Sequence, residues 1–213
     1  GVCHSDLHIW QNKLKISDDV ILGLKDLMPD FSYPLVMGHE ISGEIHALGE
    51  NYAGERVVGE RVVVYPWLGC NACDMCASHN TNMCPLNTSK SLGIGQDGGY
   101  QAYVSVPDVQ YAVPVPHDVP SDVACLFGCS ALTSFNALSK TRQSIERACK
   151  DTGAGKLLII GAGGLGLWVL QWAKVLLPKE TIIYVADVTE DKLELAKKQG
   201  ASETILWNIG AAE

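Results

Sequence analysis

Positive charge is scarce in this chain. Against 24 aspartates and glutamates stand 16 lysines and arginines, leaving 213 residues with a net charge of −8. That balance argues against a nucleic-acid partner, since phosphate contacts need a basic face, and equally against an anionic membrane surface. Long apolar runs are missing too. The two longest uncharged stretches, Val123–Ser139 and Leu157–Ala173, fall short of the about twenty residues a membrane helix needs. The first is rich in Ser, Thr and Asn, and the second is broken by four glycines. No secretory leader shows in residues 1–10, which hold His4, Asp6 and His8 and no apolar run. A cytoplasmic location is therefore expected. Repeats and low-complexity tracts are also absent. The chain opens on Gly1 rather than on methionine, directly before a candidate metal ligand, so a missing N-terminal segment is expected.

What the chain does have is cysteine, eight in all. Without a secretory signal, these read as thiols or metal ligands rather than disulfides. Four of them, Cys70, Cys73, Cys76 and Cys84, follow a Cys-x2-Cys-x2-Cys-x7-Cys pattern. Structural zinc takes four ligands tetrahedrally, and thiolates suit it. The short steps let neighbouring sulfurs turn onto one ion, and the longer gap closes the fourth vertex. Ser78, His79, Asn80 and Asn82 between them are loop formers with little core to offer, so metal binding would supply the folding energy. An iron–sulfur cluster is a second reading of four thiolates. A nucleic-acid-binding ribbon is a third, opposed by the acidic charge.

Residues 1–115 read as β-rich, with valine runs at Arg61–Tyr65 and Tyr103–Val106 between Gly- and Pro-bearing turns. After Pro114, Pro116 and Pro120, residues 121–149 have helical spacing. A β–turn–α–β unit follows: strand Leu157–Ile160, turn Gly161–Gly166, helix Leu165–Leu176, strand Thr181–Ala186. Thr189 is the expected N-cap of a further helix that Gly200 stops, and residues 203–207 are a candidate third strand. A dinucleotide fold of this type needs about six parallel strands. With two or three present, the chain is expected to be a piece cut at both ends.

The glycine pattern alone is a weak signal, but Gly161-x-Gly163-x-x-Gly166 follows a strand and opens a helix, the context the motif requires. Gly161 permits the turn, Gly163 and the neighbouring Gly164 and Leu165 bring backbone to a pyrophosphate, and Gly166 allows close packing. Asp187 ends the next strand, 21 residues after Gly166. A carboxylate there can accept from both hydroxyls of an adenosine ribose and repels a 2′-phosphate, which favours NAD over NADP.

Cys3 in Gly-Val-Cys-His-Ser-Asp, His39 in Gly-His-Glu-Ile-Ser-Gly-Glu and Cys129 in Gly-Cys-Ser-Ala-Leu-Thr are weak signals singly. Two thiolates and one imidazole with an open fourth position would make a catalytic zinc site. Taken in order with the four-cysteine loop and the glycine turn, these segments resemble the zinc-containing medium-chain alcohol dehydrogenase family over essentially the whole chain. The resemblance implies a GroES-like zinc-binding catalytic domain at 1–130, then an incomplete Rossmann domain, a doubly wound parallel sheet, at 131–213. It implies Cys3, His39 and Cys129 as ligands of a catalytic zinc, with Glu40 close by and Asp6 orienting His39. Cys129 rather than Cys125 fits because Thr133, Phe135, Ala137 and Leu138 follow it at the family's distance.

The resemblance further implies that Ser5 and His8 relay a proton, that His4, Thr133 and Lys192 contact the cofactor, and that Trp67 lines the substrate pocket. Two zinc ions and NAD are the implied cofactors. A small alcohol or aldehyde is the implied substrate, and a homodimer or homotetramer the implied assembly. Ser130-Ala131 stand where many members have Ala-Gly, and Ser139–Gly155 is longer than usual. The expected reaction is hydride transfer from a primary or secondary alcohol to NAD. A polyol (sorbitol-like) dehydrogenase and a non-catalytic zinc-stabilised module are the alternatives. The 213-residue chain alone is expected to be inactive, because the absent strands would carry the nicotinamide half of the cofactor site.

Overall fold

Arg61–Val64, with three consecutive valines, is the middle strand of an antiparallel sheet in the computed structural model, which describes residues 1–17, 19–29 and 31–207. The chain divides into two compact units, Gly1–Cys129 and Ser130–Glu213. The first begins with helix α1 (His4–Gln11), a two-residue hairpin of β1 (Leu14–Lys15) and β2 (Ile21–Leu22), and the short helix α2 (Leu24–Leu27). Its main sheet has the order β3 (Ile41–Glu44), β4 (Arg61–Val64), β5 (Ala112–Pro114). Ile41 pairs with Val64 and Val63 with Val113. Between β4 and β5 lie the one-turn helices α3 (Asp74–Ala77) and α4 (Asn87–Lys90). Pro114 ends an edge strand, where its missing N–H breaks no ladder.

The β-rich expectation for residues 1–115 needs correcting. Among the described residues its strands are short, none longer than four residues. Residues 4–11 are helical because Asp6 accepts from the Cys3 N–H at 2.9 Å, capping the first turn. Asn12 closes the helix in the left-handed conformation, φ 51°. Tyr103–Val106 is not a strand either. Val104 and Val106 pack against Ile41, Val64, Leu68, Leu92 and Tyr111 without joining the ladder.

Helix α5 (Ser121–Ala124) passes into a 3-10 turn, Cys125–Gly128, before α6 (Ser130–Thr152) begins. The expected helical stretch 121–149 is therefore interrupted, and the interruption sets Cys129 at a junction. In the second unit, β6 (Gly155–Ile160), β7 (Thr181–Asp187) and β8 (Glu203–Leu206) form a parallel sheet in that order. Helix α7 (Gly164–Leu176) crosses from β6 to β7, as parallel pairing demands. Helix α8 (Glu190–Lys198) connects β7 to β8 and stops before Gly200, whose φ is +104°. Leu138, Ile159, Leu170, Val185, Leu193 and Ala196 form one continuous buried core. No helix of the described residues is long and apolar enough to cross a membrane.

Candidate metal and cofactor sites

The sulfurs of Cys70, Cys73, Cys76 and Cys84 lie within 4.8 Å of one another. Cys73 Sγ is 3.6 Å from Cys76 Sγ, and Cys70 Sγ is 4.0 Å from it. A clamp the sequence did not disclose holds the loop's start. The Tyr111 hydroxyl accepts from the Gly69 N–H at 3.1 Å and donates to Asn71 Oδ1 at 3.0 Å. Backbone N–H groups at Ala72, and at Cys73, bring the Cys70 thiol down to about 6. At Cys73 the Cys76 N–H pulls down, but burial and the neighbouring sulfurs outweigh it and raise the thiol to about 11. Four sulfurs this close ionise together only around a cation. The donor set therefore fits zinc or another thiophilic metal.

A second cluster unites residues far apart in sequence. Cys3, His39 and Cys129 place their ligand atoms within 4.8 Å, with the Cys3 and Cys129 sulfurs 3.9 Å apart. Helix α1, the approach to β3 and the junction before α6 each bring one. Cys125 is elsewhere, its thiol donating to the Asp122 carbonyl at 3.2 Å. The His39 ring is 1% exposed, and its Nδ1 meets Asp6 Oδ1 at 3.1 Å. An imidazole that donates from Nδ1 leaves Nε2 with a lone pair for a metal. The other Asp6 oxygen accepts from the Cys3 N–H and, at 2.7 Å, from the Tyr100 hydroxyl. Nothing in the spacing had singled out Tyr100.

The groups of this cluster shift one another's protonation. Burial would lower His39, yet the hydrogen bonds to Asp6 and Cys3 raise it to about 9. Cys3 falls to about 3, chiefly because the Cys129 thiol donates to it and His39 lies beside it. Cys129 is pushed the opposite way by the same sulfur pair. For Asp6, burial pushes up, but donation from His39, Tyr100 and the Cys3 N–H leaves it below its usual value.

Glu40 is not part of the three-ligand cluster. It is 5% exposed, and its Oε2 has no hydrogen-bond partner among the described residues. Its charge nonetheless reaches Cys129, where it adds to the neighbouring Cys3 sulfur and to burial in raising the thiol. The Trp67 ring is half-buried, its centroid 5.9 Å from that of His39. Ser5 Oγ is 3.7 Å from Cys3 Sγ. His8 lies three residues on, along the same face of α1, its ring 4.8 Å from that of His4.

In the second unit, Gly161 turns at φ +94°. A Cβ at Gly166 would overlap the Gly161 carbonyl oxygen, so only glycine fits there. A Cβ at Gly163 or Gly164 would meet nothing within 4 Å, so that face of the turn is open. No side chain caps the start of α7, which leaves its N–H groups for an anion. The exposed Leu165 presents its carbonyl to Ser134 Oγ at 2.9 Å, and Thr133 sits exposed in the first turn of α6.

Asp187 does more than the spacing indicated. Its Oδ2 accepts from the Ala162 N–H at 2.7 Å and its Oδ1 from the Thr189 N–H at 3.0 Å. The Ala162 N–H chiefly holds the carboxyl below its usual range. Lys192 Nζ stands 3.9 Å away. Thr189 begins α8, but its own side chain makes no capping bond.

A sulfur-rich β lobe followed by a parallel βαβ sheet with a glycine turn defines a class, and the comparisons identify it. The chain belongs to the alcohol dehydrogenase GroES-like domain family, whose profile matches residues 1–117. It is 36% identical over 208 residues to an NAD-dependent alcohol dehydrogenase of Sulfurisphaera tokodaii, covering 96% of this chain and 54% of that protein. It is 34% identical over 174 residues to the L-galactonate-5-dehydrogenase of Escherichia coli K12, covering 82% and 43%. Among solved structures, a cobalt- and zinc-bound thermostable alcohol dehydrogenase from Pyrobaculum aerophilum matches with a TM-score of 0.67 at 29% identity, covering 82% and 49%. The chain thus spans about half the length of the curated relatives it matches.

Proposed function

We propose that this chain is the metal-binding and cofactor-binding part of a zinc- and NAD-dependent alcohol dehydrogenase. The observation that carries this reading is the buried Cys3–His39–Cys129 cluster, with Asp6 behind the imidazole. Two thiolates and one imidazole leave a fourth tetrahedral position for a substrate oxygen. When bound there, zinc would act as a Lewis acid that lowers the pKa of a coordinated hydroxyl. Glu40, with its unpartnered buried oxygen, lies one residue from a ligand and serves the same site.

The protein's own groups then divide the remaining work. Trp67 lines the pocket and favours small substrates. Ser5 and His8 carry the hydroxyl proton outward, serine as donor and acceptor, histidine as a group that titrates near neutrality. In the second unit, the open turn at Gly161, Gly163, Gly164, Leu165 and Gly166 receives the pyrophosphate, aided by Thr133. Asp187 and Lys192 take the adenosine ribose. NAD, when bound, would accept a hydride from the alcohol carbon, leaving an aldehyde or ketone and one released proton. Cys70, Cys73, Cys76 and Cys84 hold a second, structural zinc.

The relative named L-galactonate-5-dehydrogenase supports keeping a polyol substrate as the second reading. The third ligand, Cys129, matches the alcohol dehydrogenase pattern named above and supports the simple alcohol. Elemental analysis should find two zinc ions per chain; one or none removes the two-site reading. The complete protein should form NADH with ethanol or a secondary alcohol faster than with a polyol. The reverse order selects the alternative. Ser5→Ala should slow hydride transfer with the metal retained, and an unchanged rate rejects the relay.

A further inference from the structure

The turn Asp97-Gly98-Gly99-Tyr100 supplies no metal ligand, yet it grips the segment that does. Asp97 Oδ1 accepts from the Val36 N–H at 2.8 Å. The N–H groups of Gly98, Gly99 and Tyr100 donate to the carbonyls of Val36, Gly38 and Met37 at 2.6, 2.7 and 3.0 Å. These four bonds fix the three residues just before His39. Gly38 adopts φ +94°, and a Cβ there would lie 2.5 Å from the Tyr100 ring. The ring therefore rests on the peptide that precedes the ligand. Its hydroxyl reaches past that peptide to Asp6 Oδ2, at 2.7 Å, the same oxygen that accepts from Cys3. A tyrosine that is 44% exposed as a whole thus aims its polar end at a carboxylate that is 3% exposed.

We propose that Tyr100 is a positioning residue for the three-ligand metal site, its hydroxyl locking the Asp6 carboxylate that orients His39. Asp6 accepts three hydrogen bonds, from Cys3, His39 and Tyr100. Without the hydroxyl, Oδ2 keeps only the Cys3 N–H, and the carboxylate gains freedom to rotate away from Nδ1. The imidazole then loses the bond that sets its tautomer and raises its basicity as a ligand. The inference rests on the reading of Cys3, His39 and Cys129 as metal ligands.

Tyr100→Phe removes the hydroxyl and keeps the ring against Gly38. The test titrates zinc into the metal-free chain against a chromophoric chelator, then repeats the measurement with cobalt(II) and records its visible bands. Outer-shell changes typically cost about 10–100-fold in metal affinity, and Tyr100 acts one step further out. We expect roughly tenfold weaker binding at one of two sites, altered cobalt bands at that site, and an unchanged four-cysteine site. Equal affinity and equal bands in the Phe variant overturn the proposal. A double-mutant cycle with Asp6→Asn checks the route. In that background Tyr100→Phe should have little further effect, and an undiminished effect overturns the role through Asp6. Should the unmutated chain bind zinc only at the four cysteines, the metal-site reading fails and this inference with it. Binding at both sites with no Tyr100 effect fails this inference alone.

Discussion

The two units of this chain solve the problem of cohesion differently. Ser130–Glu213 is held by one apolar core, in which Leu138, Ile159, Leu170 and Val185 pack between helices and a parallel sheet. Among its described residues, Gly1–Cys129 shows smaller apolar clusters, such as Ile9, Leu24, Met28 and Phe31. Polar ties like Asp6 to His39 supplement them, and the zinc proposed for the four-cysteine loop would add a cross-link. The contrast teaches where metal should matter. A unit rich in short strands and loops needs cross-links, whereas a βαβ layer buries enough apolar surface without them.

The largest expected effect tests this contrast directly. Structural zinc in small domains contributes an apparent binding energy of about 10–16 kcal/mol. Chelation should therefore strip hydrogen-exchange protection from Gly69–Leu86 while leaving β6 and β7 protected. Uniform loss in both units, or none, would break the comparison. Leu170→Ala is the converse perturbation. Leu170 is 0% exposed, and truncation should cost about 2–5 kcal/mol in thermal or denaturant unfolding. That cost should be the same with and without metal. A metal-dependent cost would show that the second unit leans on the first unit's ions.

Within the first unit, the two sulfur clusters should separate by what they lose. Cys84→Ser is expected to lower stability, because its loop has little else to hold it. Cys129→Ser is expected to leave the fold near normal and to reduce turnover of the complete enzyme. The loss should exceed the roughly 10–100-fold typical of an outer-shell change. If Cys84→Ser abolished turnover at unchanged stability, the assignment of structural and chemical roles would be reversed.

How legible these sites were depended on how far apart their parts lie. The four-cysteine loop was readable from spacing because its geometry is local. The β6–α7–β7 unit was readable because a strand, a glycine turn and a 3.6-residue period follow in sequence. The Cys3–His39–Cys129 cluster was not readable from the residues alone, since Cys3 and Cys129 are 126 positions apart. Only a resemblance joined them. Tyr100 does not stand out in the sequence because the contact that matters is a hydroxyl meeting a carboxylate 94 residues away. The signal that could have found it was the Asp-Gly-Gly-Tyr turn, whose glycines ask what they approach so closely. Strands in residues 1–115 were overestimated because valine content reports burial as well as pairing, as Val104 and Val106 show.

Asp187 gives the smallest effect and refines the comparison, since it is a polar tie inside the apolar unit. Ribose binding alone would make Asp187→Gly a change that weakens NAD and relaxes selectivity toward NADP. The bond from the Ala162 N–H to Oδ2 adds a second consequence. Ala162 is 2% exposed, so removing the carboxylate leaves its N–H without an acceptor inside the glycine turn. Asp187→Asn keeps an oxygen for that N–H, and Asp187→Ser does not reach as far. Both variants should bind NAD roughly tenfold more weakly or worse, the worth of a charged hydrogen bond. The Ser variant should also lose stability and fail to gain NADP binding. The pH dependence has a definite sign. Because the folded Asp187 carboxyl is held below its usual range, its stabilisation is complete above the ordinary value of about 3.9 and disappears as pH falls through the folded value. The Asn variant should lack that acid-side loss. If the Asn and Ser variants showed equal stability and equal affinity, Asp187 would be a ribose ligand only, and the turn would be held by its glycines alone.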